Sequence, residues 1–426
     1  MNRTVSGATI LHDLDNLARF SVPTSKGGVT RLPWTYEDEQ VVLLLTDTLT
    51  ALGLQVSRDA ANNLWAVWDV DADRSIVMGS HRDSVPNGGR FDGALGVIGA
   101  VRVIQQLKAD HYRPRHNIEL VAWNDEEGAR FGTTLFGSRI YSGATQVAQF
   151  ADKIDRQGIS LAEAALHAGY RVEKMEATKN LSRMAAYLEL HIEQGPILER
   201  NHCHIGVVSG INVQFRERCT IQGIRVHAAY SGSDRVDPIF ATAEVWHNLM
   251  TTINQANHGY PYPRIAATVG QVDVHSHLIN AVPPDIIWTL DLRSEDASLA
   301  QEVLEMVHAD VGRIAQRAGF HAEITSVDDH AVLAGTRDPS QPIEFDSVLQ
   351  ALVSDAARDG GYSFQRMASW AGHDAMALAP RVPTAMIFVP SHKGLSHTPE
   401  EWTDPTDLEA GVDVLLKTVL KADALA

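Results

Sequence analysis

Short, continuous apolar runs alternate along the chain with segments whose apolar residues have helical spacing. Runs such as 75–80 (SIVMGS), 117–124 and 383–390 predict strands that are buried on both faces. Helical spacing lies between them, for example over 96–110 and 405–422. Because buried strands separated by helices form parallel sheets, the pattern predicts an α/β fold with a mostly parallel sheet between helices.

The middle of the chain has a different pattern. Residues 213–230 alternate between apolar and polar side chains, which predicts a long, half-exposed strand. A helix over about 237–254, two strands, a second helix and a final strand follow. This order is typical of a compact α+β unit of the split β-α-β kind. We therefore predict a catalytic domain formed by residues 1–210 and 329–426, interrupted by an inserted α+β domain over 211–328.

Composition limits the partners of the protein. The 426 residues are 44% hydrophobic and 21% charged, which is enough for two or three domains with an ample core. Lys and Arg number 36 and Asp and Glu 53, so the net charge is −17. Such an excess of negative charge argues against nucleic acid or an anionic membrane as partner. A small anionic ligand is still compatible, because one local arginine can bind a carboxylate.

Cysteine usage and the first residues favour a cytoplasmic protein. Two cysteines, Cys203 and Cys219, exclude a disulfide framework and a cysteine-rich zinc module. Asp13 and Asp15 interrupt the first apolar pattern, which is unlike a signal peptide. No apolar run approaches the ~20 residues that a transmembrane helix needs. We expect a reducing, cytosolic location.

Four predicted strands end in clusters of polar residues. Ligands of open α/β sheets bind beyond the carboxyl ends of the strands, so these clusters are expected on one rim of the sheet. Each cluster alone is common on protein surfaces, but their convergence favours a functional site. The clusters are His81-Arg82-Asp83, Asp125-Glu126-Glu127, His191-Ile192-Glu193-Gln194, and Ser391-His392 followed by Ser396-His397.

The residue types in and near these clusters suit divalent metal ions. Neutral imidazoles and anionic carboxylates together hold zinc, manganese and similar ions. Five candidate ligands exceed the needs of one catalytic metal, and a shared carboxylate would let them hold two ions ~3.5–4 Å apart. Asp92 suits the bridging position, since it lies in a glycine-rich stretch just before a helix. The candidate ligands are His81, Asp92, Glu127, His191 and His397.

Two further acidic residues suit supporting roles. Asp83 shares a side of the strand with His81, so its carboxylate is expected to orient that imidazole. Glu126 is adjacent to Glu127 and can project towards water while its neighbour faces metal. Glu126 is therefore expected to act as general base and then to protonate a leaving nitrogen.

Five motifs resemble the amidase/hydantoinase/carbamoylase branch of the di-metal aminoacylase and carboxypeptidase superfamily. They span residues 79–403 and read GSHRDSVPNGGRFDGALGV, NDEEGARF, HIEQGPILE, AGHDA and MIFVPSHKGLSHTPEEWT. This branch includes N-carbamoyl-L-amino acid hydrolases, β-ureidopropionase, and allantoate and ureidoglycolate amidohydrolases. The resemblance implies two divalent ions per subunit, Zn²⁺ or Mn²⁺ with Co²⁺ as a third option. It also implies that the inserted domain is a lid through which the chain forms a homodimer.

The resemblance also implies roles for individual residues. It makes Glu126 the general base. The peptidase relatives usually carry a carboxylate where this chain has His191, whereas the carbamoylase branch has histidine followed by Glu-Gln-Gly. The implied ligand sets are His81, Asp92 and His191 for one metal, and Asp92, Glu127 and His397 for the other.

Four residues match positions that contact the substrate in this branch. Gln194 matches a residue that contacts the ureido group. His227 matches a lid histidine that polarises the scissile carbonyl, in some relatives from the partner subunit. Asn280 and Arg293 match the lid residues that hold the substrate carboxylate, and the planar fork of an arginine suits that group.

The chain departs from its relatives mainly in the inserted domain. Relatives usually read His-Ala-Gly-Thr-Thr-Pro-Met where this chain has HAAYSGSD over 227–234. Tyr230 would narrow the substrate pocket that the resemblance implies, and Asp234 would change its charge. Pro284 replaces a glycine, and Trp370 replaces a small residue. These departures leave the ligand set intact and concern the choice of substrate.

The predicted function is metal-dependent hydrolysis of a linear ureido C–N bond. An N-carbamoyl-L-amino acid would give the amino acid, carbon dioxide and ammonia. Allantoate or ureidoglycolate is the first alternative substrate. A dipeptidase or aminoacylase is the second alternative, and His191 and Gln194 weigh against it. An inactive, metal-free binding protein is the third, and the complete ligand set argues against it.

Overall fold

The computed structural model describes residues 5–24, 27–176, 181–276, 278–327 and 341–425. Contacts within the chain divide it into two compact units. Among the described residues, the first unit contains residues up to 211 and from 343 onward, and the second contains residues 212–327 and 341–342.

Strands and helices alternate through both units, and β7–β10, α7 and α8 belong to the second. The strands are β1 (Gln55–Arg58), β2 (Leu64–Trp68), β3 (Ser75–His81), β4 (Asn117–Trp123), β5 (Met184–Ile192), β6 (Ile205–Ile211), β7 (Val213–Gln222), β8 (Ile265–Val274), β9 (Asp285–Ser294), β10 (His321–Ser326), β11 (Ile343–Glu344), β12 (Phe364–Ser369) and β13 (Thr384–Val389). The helices are α1 (Gly7–Ala18), α2 (Tyr36–Ala51), α3 (Ala94–Ala109), α4 (Phe136–Ser142), α5 (Leu161–His167), α6 (Ile197–Arg200), α7 (Pro238–Asn257), α8 (Ala297–Ala315), α9 (Ser347–Gly360), α10 (Ala375–Leu378) and α11 (Pro405–Ala424). Over the described residues, no helix combines the length and the apolar character needed to cross a membrane.

The first unit contains a mixed sheet with a parallel centre. Its strand order is β1-β2-β4-β3-β5-β13-β6-β11, and β12 also pairs with β6. The four central strands, β4, β3, β5 and β13, are parallel neighbours, and antiparallel pairs lie towards the edges. The predicted α/β fold with a mostly parallel sheet is therefore confirmed.

The register of the central strands brings their carboxyl ends to one rim. His81 at the end of β3 pairs with Trp123 at the end of β4. His191 in β5 likewise pairs with Phe388 in β13. Every side chain of β3 and β13 is buried, as the continuous apolar runs predict for strands covered on both faces. The four polar clusters that follow these strands thus begin at the same edge of the sheet.

The second unit is a four-stranded antiparallel sheet in the order β10-β7-β9-β8, with apolar side chains packed against α7 and α8. Along β7, odd-numbered residues such as Val213 and Cys219 are buried, while the even-numbered residues from Arg216 onward are polar and more exposed. The prediction of one strand over 213–230 is wrong in length. The regular ladder ends where Gln222 pairs with Asp285, because Pro283 and Pro284 before β9 have no N–H to donate. Beyond this point the two segments form an isolated bridge between His227 and Ala281.

A buried ion pair anchors the residue that follows β3. The guanidinium of Arg82 is fully buried and donates from Nε to Oδ1 of Asp38 at 2.7 Å and from Nη2 to Oδ2 at 3.2 Å. It also donates to the carbonyl oxygen of Ala122 and to Oδ1 of Asn124. With both charges paired and hydrogen-bonded, the cost of removing them from water is offset. The pair fixes α2 to the rim beside His81.

Replacing Arg82 with Met should therefore destabilise the protein by about 3–5 kcal/mol, because Asp38 would be left as an uncompensated buried charge. The double variant R82M/D38N should recover most of this loss. Urea-induced unfolding measures the free energy of unfolding of both variants. Arg90→Met is the matched control, since Arg90 pairs with Asp15 near the surface and should change stability by less than about 1 kcal/mol. Equal stability of R82M and R90M would contradict this account of the pair.

Candidate metal centre

The rim of the first unit brings six of the predicted site residues together. Their ligand atoms lie within 4.8 Å of one another in groups of three. Two groups are the same sets that the family resemblance implies for two metals. The groups at this rim are His81, Asp92 and His191; Asp92, Glu127 and His397; and His81, Glu126 and Glu127.

Asp92 lies at the centre of the cluster. Its Oδ1 is 3.5 Å from Nε2 of His81 and 3.2 Å from Nε2 of His191. Its Oδ2 is 3.2 Å from Nε2 of His397, whose Nε2 is also 3.3 Å from Oε2 of Glu127. One carboxylate therefore faces three imidazoles, with its two oxygens directed to different sets.

Backbone carbonyl oxygens fix the tautomers of the two buried histidines beside Asp92. Nδ1 of His81 is 3.1 Å from the carbonyl oxygen of Asp83, and Nδ1 of His191 is 2.9 Å from that of Ile192. A carbonyl oxygen only accepts, so Nδ1 carries the proton in the neutral ring and Nε2 keeps its lone pair. The backbone N–H of Gly93, which donates to Nε2 of His191, agrees with this assignment.

Lone pairs and carboxylate oxygens at these distances repel each other unless a proton or a metal cation lies between them. The pKa values of the histidines also show that this place favours positive charge. Burial opposes protonation of His81, yet the charge of Glu126 and the contact with Asp92 outweigh it and raise its pKa well above the usual value. The contact of His397 with Asp92 raises its pKa to about 9.

The acidic residues show the complementary effect. Burial and the charge of Asp92 raise the pKa of Glu127 to about 8. Burial, followed by the charge of Glu127, raises the pKa of Glu126 well above its usual value. Oε1 of Glu127 is buried and has no hydrogen-bond partner among the described residues. Three imidazoles and several crowded carboxylates, one with an unbonded oxygen, fit a pair of divalent cations.

Tight turns carry these side chains to the cluster. Asp125, Gln194 and His397 have positive φ values of 56°, 56° and 58°, a region that residues other than glycine seldom occupy. Gly93 has φ of 64°, and a Cβ there would lie 2.3 Å from Cε1 of the His81 ring. The polypeptide therefore passes too close to the imidazole for any larger residue at position 93.

Asp83 supports the cluster differently from the expectation. Its carbonyl oxygen, rather than its carboxylate, is the closer partner of the His81 ring, since the carboxylate Oδ1 is 3.8 Å from Nδ1. The carboxylate instead accepts the backbone N–H of Glu126 at 3.0 Å and that of Glu127 at 3.2 Å. Asp83 thus positions the turn that carries both glutamates, and Oε2 of Glu126 lies 3.9 Å from Nε2 of His81.

Gln194 also reaches the centre of the cluster. Its Nε2 donates to Oδ2 of Asp92 at 2.9 Å and to Oγ of Ser396 at 3.1 Å. An amide at this position can contact a polar group that approaches Asp92. The substrate role of Gln194 stays a prediction.

The second unit contains the other three predicted residues. His227 and Asn280 are exposed neighbours, with Nδ2 of Asn280 at 3.5 Å from Nε2 of His227 and the Ala228 N–H bonded to the Asn280 carbonyl oxygen. Arg293 lies on β9, where its guanidinium forms a two-bond fork with Asp291. The structure thus pairs His227 with Asn280 and pairs Arg293 with a carboxylate that the sequence did not single out.

Several buried polar residues beside the cluster are not among those predicted from the sequence. Glu401 is 2% exposed and accepts the N–H groups of Phe91 and Asp92 at 2.9 and 3.2 Å. Its second oxygen accepts the hydroxyl of Ser396 at 2.9 Å. Glu401 therefore ties the loop of Asp92 to the loop of His397. Glu401 lies inside the motif MIFVPSHKGLSHTPEEWT, but the sequence does not distinguish it from its acidic neighbour Glu400.

A second missed group lies behind His191. Glu189 and His373 are buried there and, with His191, form another set of close ligand atoms. Glu189 accepts the Ser80 hydroxyl at 2.7 Å and the N–H of Ala375 at 2.9 Å. A carboxylate inside the apolar strand AAYLELHI was a signal that could have identified Glu189.

Comparisons with known proteins agree with one another. The model of peptidase family M20/M25/M40 matches residues 77–421. The N-carbamoyl-L-amino acid amidohydrolase of Geobacillus stearothermophilus is 35% identical over 397 residues, covering 92% of this chain and 93% of that protein. The allantoate amidohydrolase of Bacillus subtilis is 31% identical over 401 residues, covering 93% of each. The crystal structure of a hydantoinase/carbamoylase family amidase from Burkholderia vietnamiensis has a TM-score of 0.84 at 32% identity and 98% coverage of both chains.

Replacing Glu401 with Ala should weaken metal binding by about 10–100-fold, because the loops of Asp92 and His397 would lose their shared acceptor. Isothermal titration of the metal-free protein with Mn²⁺ measures the affinity. Glu401→Gln keeps one acceptor oxygen and should fall between Ala and the parent. The exposed neighbour Glu400 is the matched control, and E400A should bind as the parent does. Unchanged affinity in E401A, with the fold retained, would contradict this role.

Proposed function

The chain belongs to peptidase family M20/M25/M40 and is an amidohydrolase of the ureido and carbamoyl type, and from this premise we propose that it hydrolyses N-carbamoyl-L-amino acids. The products would be the free amino acid, carbon dioxide and ammonia. The observation that carries the proposal is the convergence of three histidine Nε2 atoms on Asp92, with Glu126 and Glu127 beside them. The relative of highest identity reported above bears the name of this activity.

Two residues favour a ureido substrate over a peptide. His191 occupies a position where, by the family resemblance, peptidases carry a carboxylate. Gln194 places an amide within hydrogen-bond distance of Asp92, where it can contact the polar ureido group. Together these residues support a non-peptide substrate at this rim.

We assign the five ligands to two divalent ions, which when bound supply Lewis acidity for the carbonyl and lower the pKa of water. Glu126 accepts the proton of the attacking water, which adds to the ureido carbon. The bond from that carbon to the amino acid nitrogen then breaks, and Glu126 returns the proton to this nitrogen. The remaining carbamic acid splits into carbon dioxide and ammonia. Asp83 holds the Glu126 backbone in place for both transfers.

The residues of the second unit bind the rest of the substrate in this proposal. His227 donates to the carbonyl oxygen as negative charge develops there, and Asn280 beside it supports the same group or the carboxylate. Arg293 binds the substrate carboxylate. The loop after His227 differs from that of the relatives and contains Tyr230, which bonds with Asp234 and whose pKa is raised by that bond. We propose that this loop decides which side chain is accepted.

Allantoate is the second candidate substrate, because a relative covering 93% of this chain bears the name of that activity. A panel of ureides separates the candidates. Ammonia release is measured with the metal-free protein reloaded with Mn²⁺, Zn²⁺ or Co²⁺ in turn. The panel contains N-carbamoyl-L-amino acids, N-carbamoyl-β-alanine, allantoate and ureidoglycolate, with an N-acetyl amino acid and a dipeptide as controls. Turnover of the controls alone would overturn the proposal in favour of an acylase or peptidase.

Adjacent glutamates give a matched test of the mechanism. Glu126→Gln should bind metal as the parent does and lose about 10²–10⁴-fold in kcat, because the proton carrier is gone. Glu127→Gln should instead lose metal, because it removes a ligand. Metal content by atomic emission and kcat on the best ureide measure the two effects. Substantial residual activity of E126Q would contradict the assignment of the base.

We propose that the protein is a homodimer through its second unit. β8 is the last strand in the order β10-β7-β9-β8, and Val272 and Val274 near its end are exposed. Such an edge is a template for pairing with a second copy. Light scattering should give twice the mass of one chain, and Val272→Lys should shift it to the single-chain mass. Ile154→Lys, at an exposed site of the first unit, is the control. A monomeric parent would contradict the proposal.

We also place the enzyme in the cytoplasm. Cys203 and Cys219 are both free thiols, and Cys219 is buried in the second unit. Free thiols are typical of proteins in a reducing compartment. Fractionation of the source cells tests this placement, and recovery outside the cytoplasm would contradict it.

A further inference from the structure

The neighbouring strands β3 and β5 stop pairing before they reach the metal cluster. Their ladder ends at the pair Met78 and Leu188, three residues before His81 and His191. Beyond that pair, β3 stays paired with β4, and β5 stays paired with β13. The two histidines nevertheless place their Nε2 atoms against the same oxygen of Asp92. The ladder between β3 and β5 therefore does not by itself set the separation of these two side chains.

Two side chains of β5 bridge the gap where the ladder has ended. Oε1 of Glu189 accepts the hydroxyl of Ser80 at 2.7 Å. The hydroxyl of Tyr187 lies 3.2 Å from the carbonyl oxygen of Gly79 and 3.3 Å from Oε2 of Glu189, so its proton serves these two acceptors. Gly79 and Ser80 directly follow the last ladder pair of β3. Side-chain hydrogen bonds thus join β3 to β5 at the point where backbone pairing ends.

The same network reaches two further segments of the rim. Oε2 of Glu189 accepts the N–H of Ala375, the first residue of α10, at 2.9 Å. The hydroxyl of Tyr187 accepts Nε1–H of Trp123, the last residue of β4, at 2.9 Å. Glu189 and Tyr187 together therefore connect β5 with β3, β4 and α10.

Burial gives these hydrogen bonds their importance. Glu189, Tyr187 and Ser80 are fully buried, and Glu189 interrupts the otherwise apolar strand AAYLELHI. A carboxylate in such a place is costly unless donors surround it, and a buried donor that loses its acceptor is costly as well. The three donors from Ser80, Tyr187 and Ala375 consequently fix the position of the carboxylate, and the carboxylate fixes theirs.

We propose that Glu189 is a positioning residue for the metal centre. Its hydrogen bonds set the separation of His81 and His191, so that both Nε2 atoms reach one oxygen of Asp92. This inference rests on the proposed function in one respect, the assignment of two metal ions to the cluster. The ion of the set that contains both histidines depends on Glu189, whereas the ion of the other set does not.

Matched serines at the two ends of β3 test the inference. Ser80 donates to Glu189 at the carboxyl end of the strand, and Ser75 donates to Glu119 of β4 at the amino end. In isothermal titration of the metal-free protein with Mn²⁺, Ser80→Ala should weaken binding of one ion by about tenfold and leave the other ion within about twofold. Ser75→Ala removes an equivalent bond and should change neither ion. Equal losses in S80A and S75A, or no loss in S80A, would overturn the inference.

Variants of Glu189 separate the hydrogen-bond geometry from a general loss of stability. Glu189→Gln can keep the bonds, because its amide oxygen accepts the N–H of Ala375, while the hydroxyl of Ser80 accepts from the amide NH₂. Glu189→Met has a similar length without these acceptors and should lower the affinity for the same ion by about 10–100-fold. E189Q should stay within about threefold of the parent. If E189Q bound that ion as weakly as E189M, the inference would be overturned.

Glu119→Met is the matched control for E189M, since it removes a carboxylate that accepts a serine hydroxyl of the same strand. It should bind both ions as the parent does, whatever it loses in stability. A loss of the same ion in E119M would show that the effect is general and would contradict a special role of Glu189. Should E189M fail to fold, S80A decides the question, because it deletes a single oxygen atom.

Hydrogen exchange of the metal-free protein measures the positioning without any metal. E189M should accelerate exchange at the start of α10, where the N–H of Ala375 loses its acceptor, and at the carboxyl end of β3. E119M should accelerate exchange at the amino end of β3 instead. Unchanged exchange of the α10 amides in E189M would overturn the inference.

These readouts distinguish the inference from the proposed reaction. If S80A lost one ion selectively while the panel of ureides showed no turnover, Glu189 would keep its role and only the proposed reaction would be overturned. If the parent turned over a ureide but S80A and E189M bound both ions normally, the reaction would stand and the inference would be overturned.

Discussion

The structure depends on one unfavourable juxtaposition, the convergence of three imidazole lone pairs on the carboxylate of Asp92. Carbonyl oxygens fix the tautomers of His81 and His191, so in the neutral rings their Nε2 atoms face Asp92 with a lone pair. Neighbouring carboxylates add further negative charge, and burial removes the water that would screen it. Positive charge held among these atoms makes the arrangement favourable, and this demand is the physical basis for our proposal that metal ions bind at this rim.

The rest of the first unit keeps these atoms in place against their mutual repulsion. The parallel register brings the ends of four strands to one rim, and turns with positive φ aim the side chains inward. Asp83 holds the two glutamates by their backbone, and Glu401 joins the loops of Asp92 and His397. Behind the rim, the buried pair of Arg82 and Asp38 anchors the residue next to His81. Asp83 and Glu401 act through hydrogen bonds to backbone N–H groups, and fixed partners of this kind are how proteins orient metal ligands.

The second unit also fixes a charged side chain by hydrogen bonds between strands. Asp291 on β9 accepts from Arg293 on its own strand and from Arg216 on the adjacent strand β7. The two bonds from Arg293 hold the plane of its guanidinium, and a fixed planar fork is the geometry that suits a carboxylate. The register of β7 and β9 sets this arrangement, because Arg216 lies directly opposite Asp291.

The sequence by itself determined the α/β class, the polar clusters and the identity of the candidate ligands. Continuous apolar strands are typical of a sheet covered by helices on both faces. The candidate ligands lie in short motifs such as NDEEG, so their residue types can be read directly from the sequence. It also indicated an inserted unit, although it extended β7 eight residues too far, to 230 in place of Gln222. Local alternation cannot show where a ladder partner ends. Only the tertiary structure decided that the carboxylate of Asp83 holds a turn rather than an imidazole. The same is true of Glu401 and Arg216, which act on residues distant in sequence, and whose partners exist only once loops and strands meet.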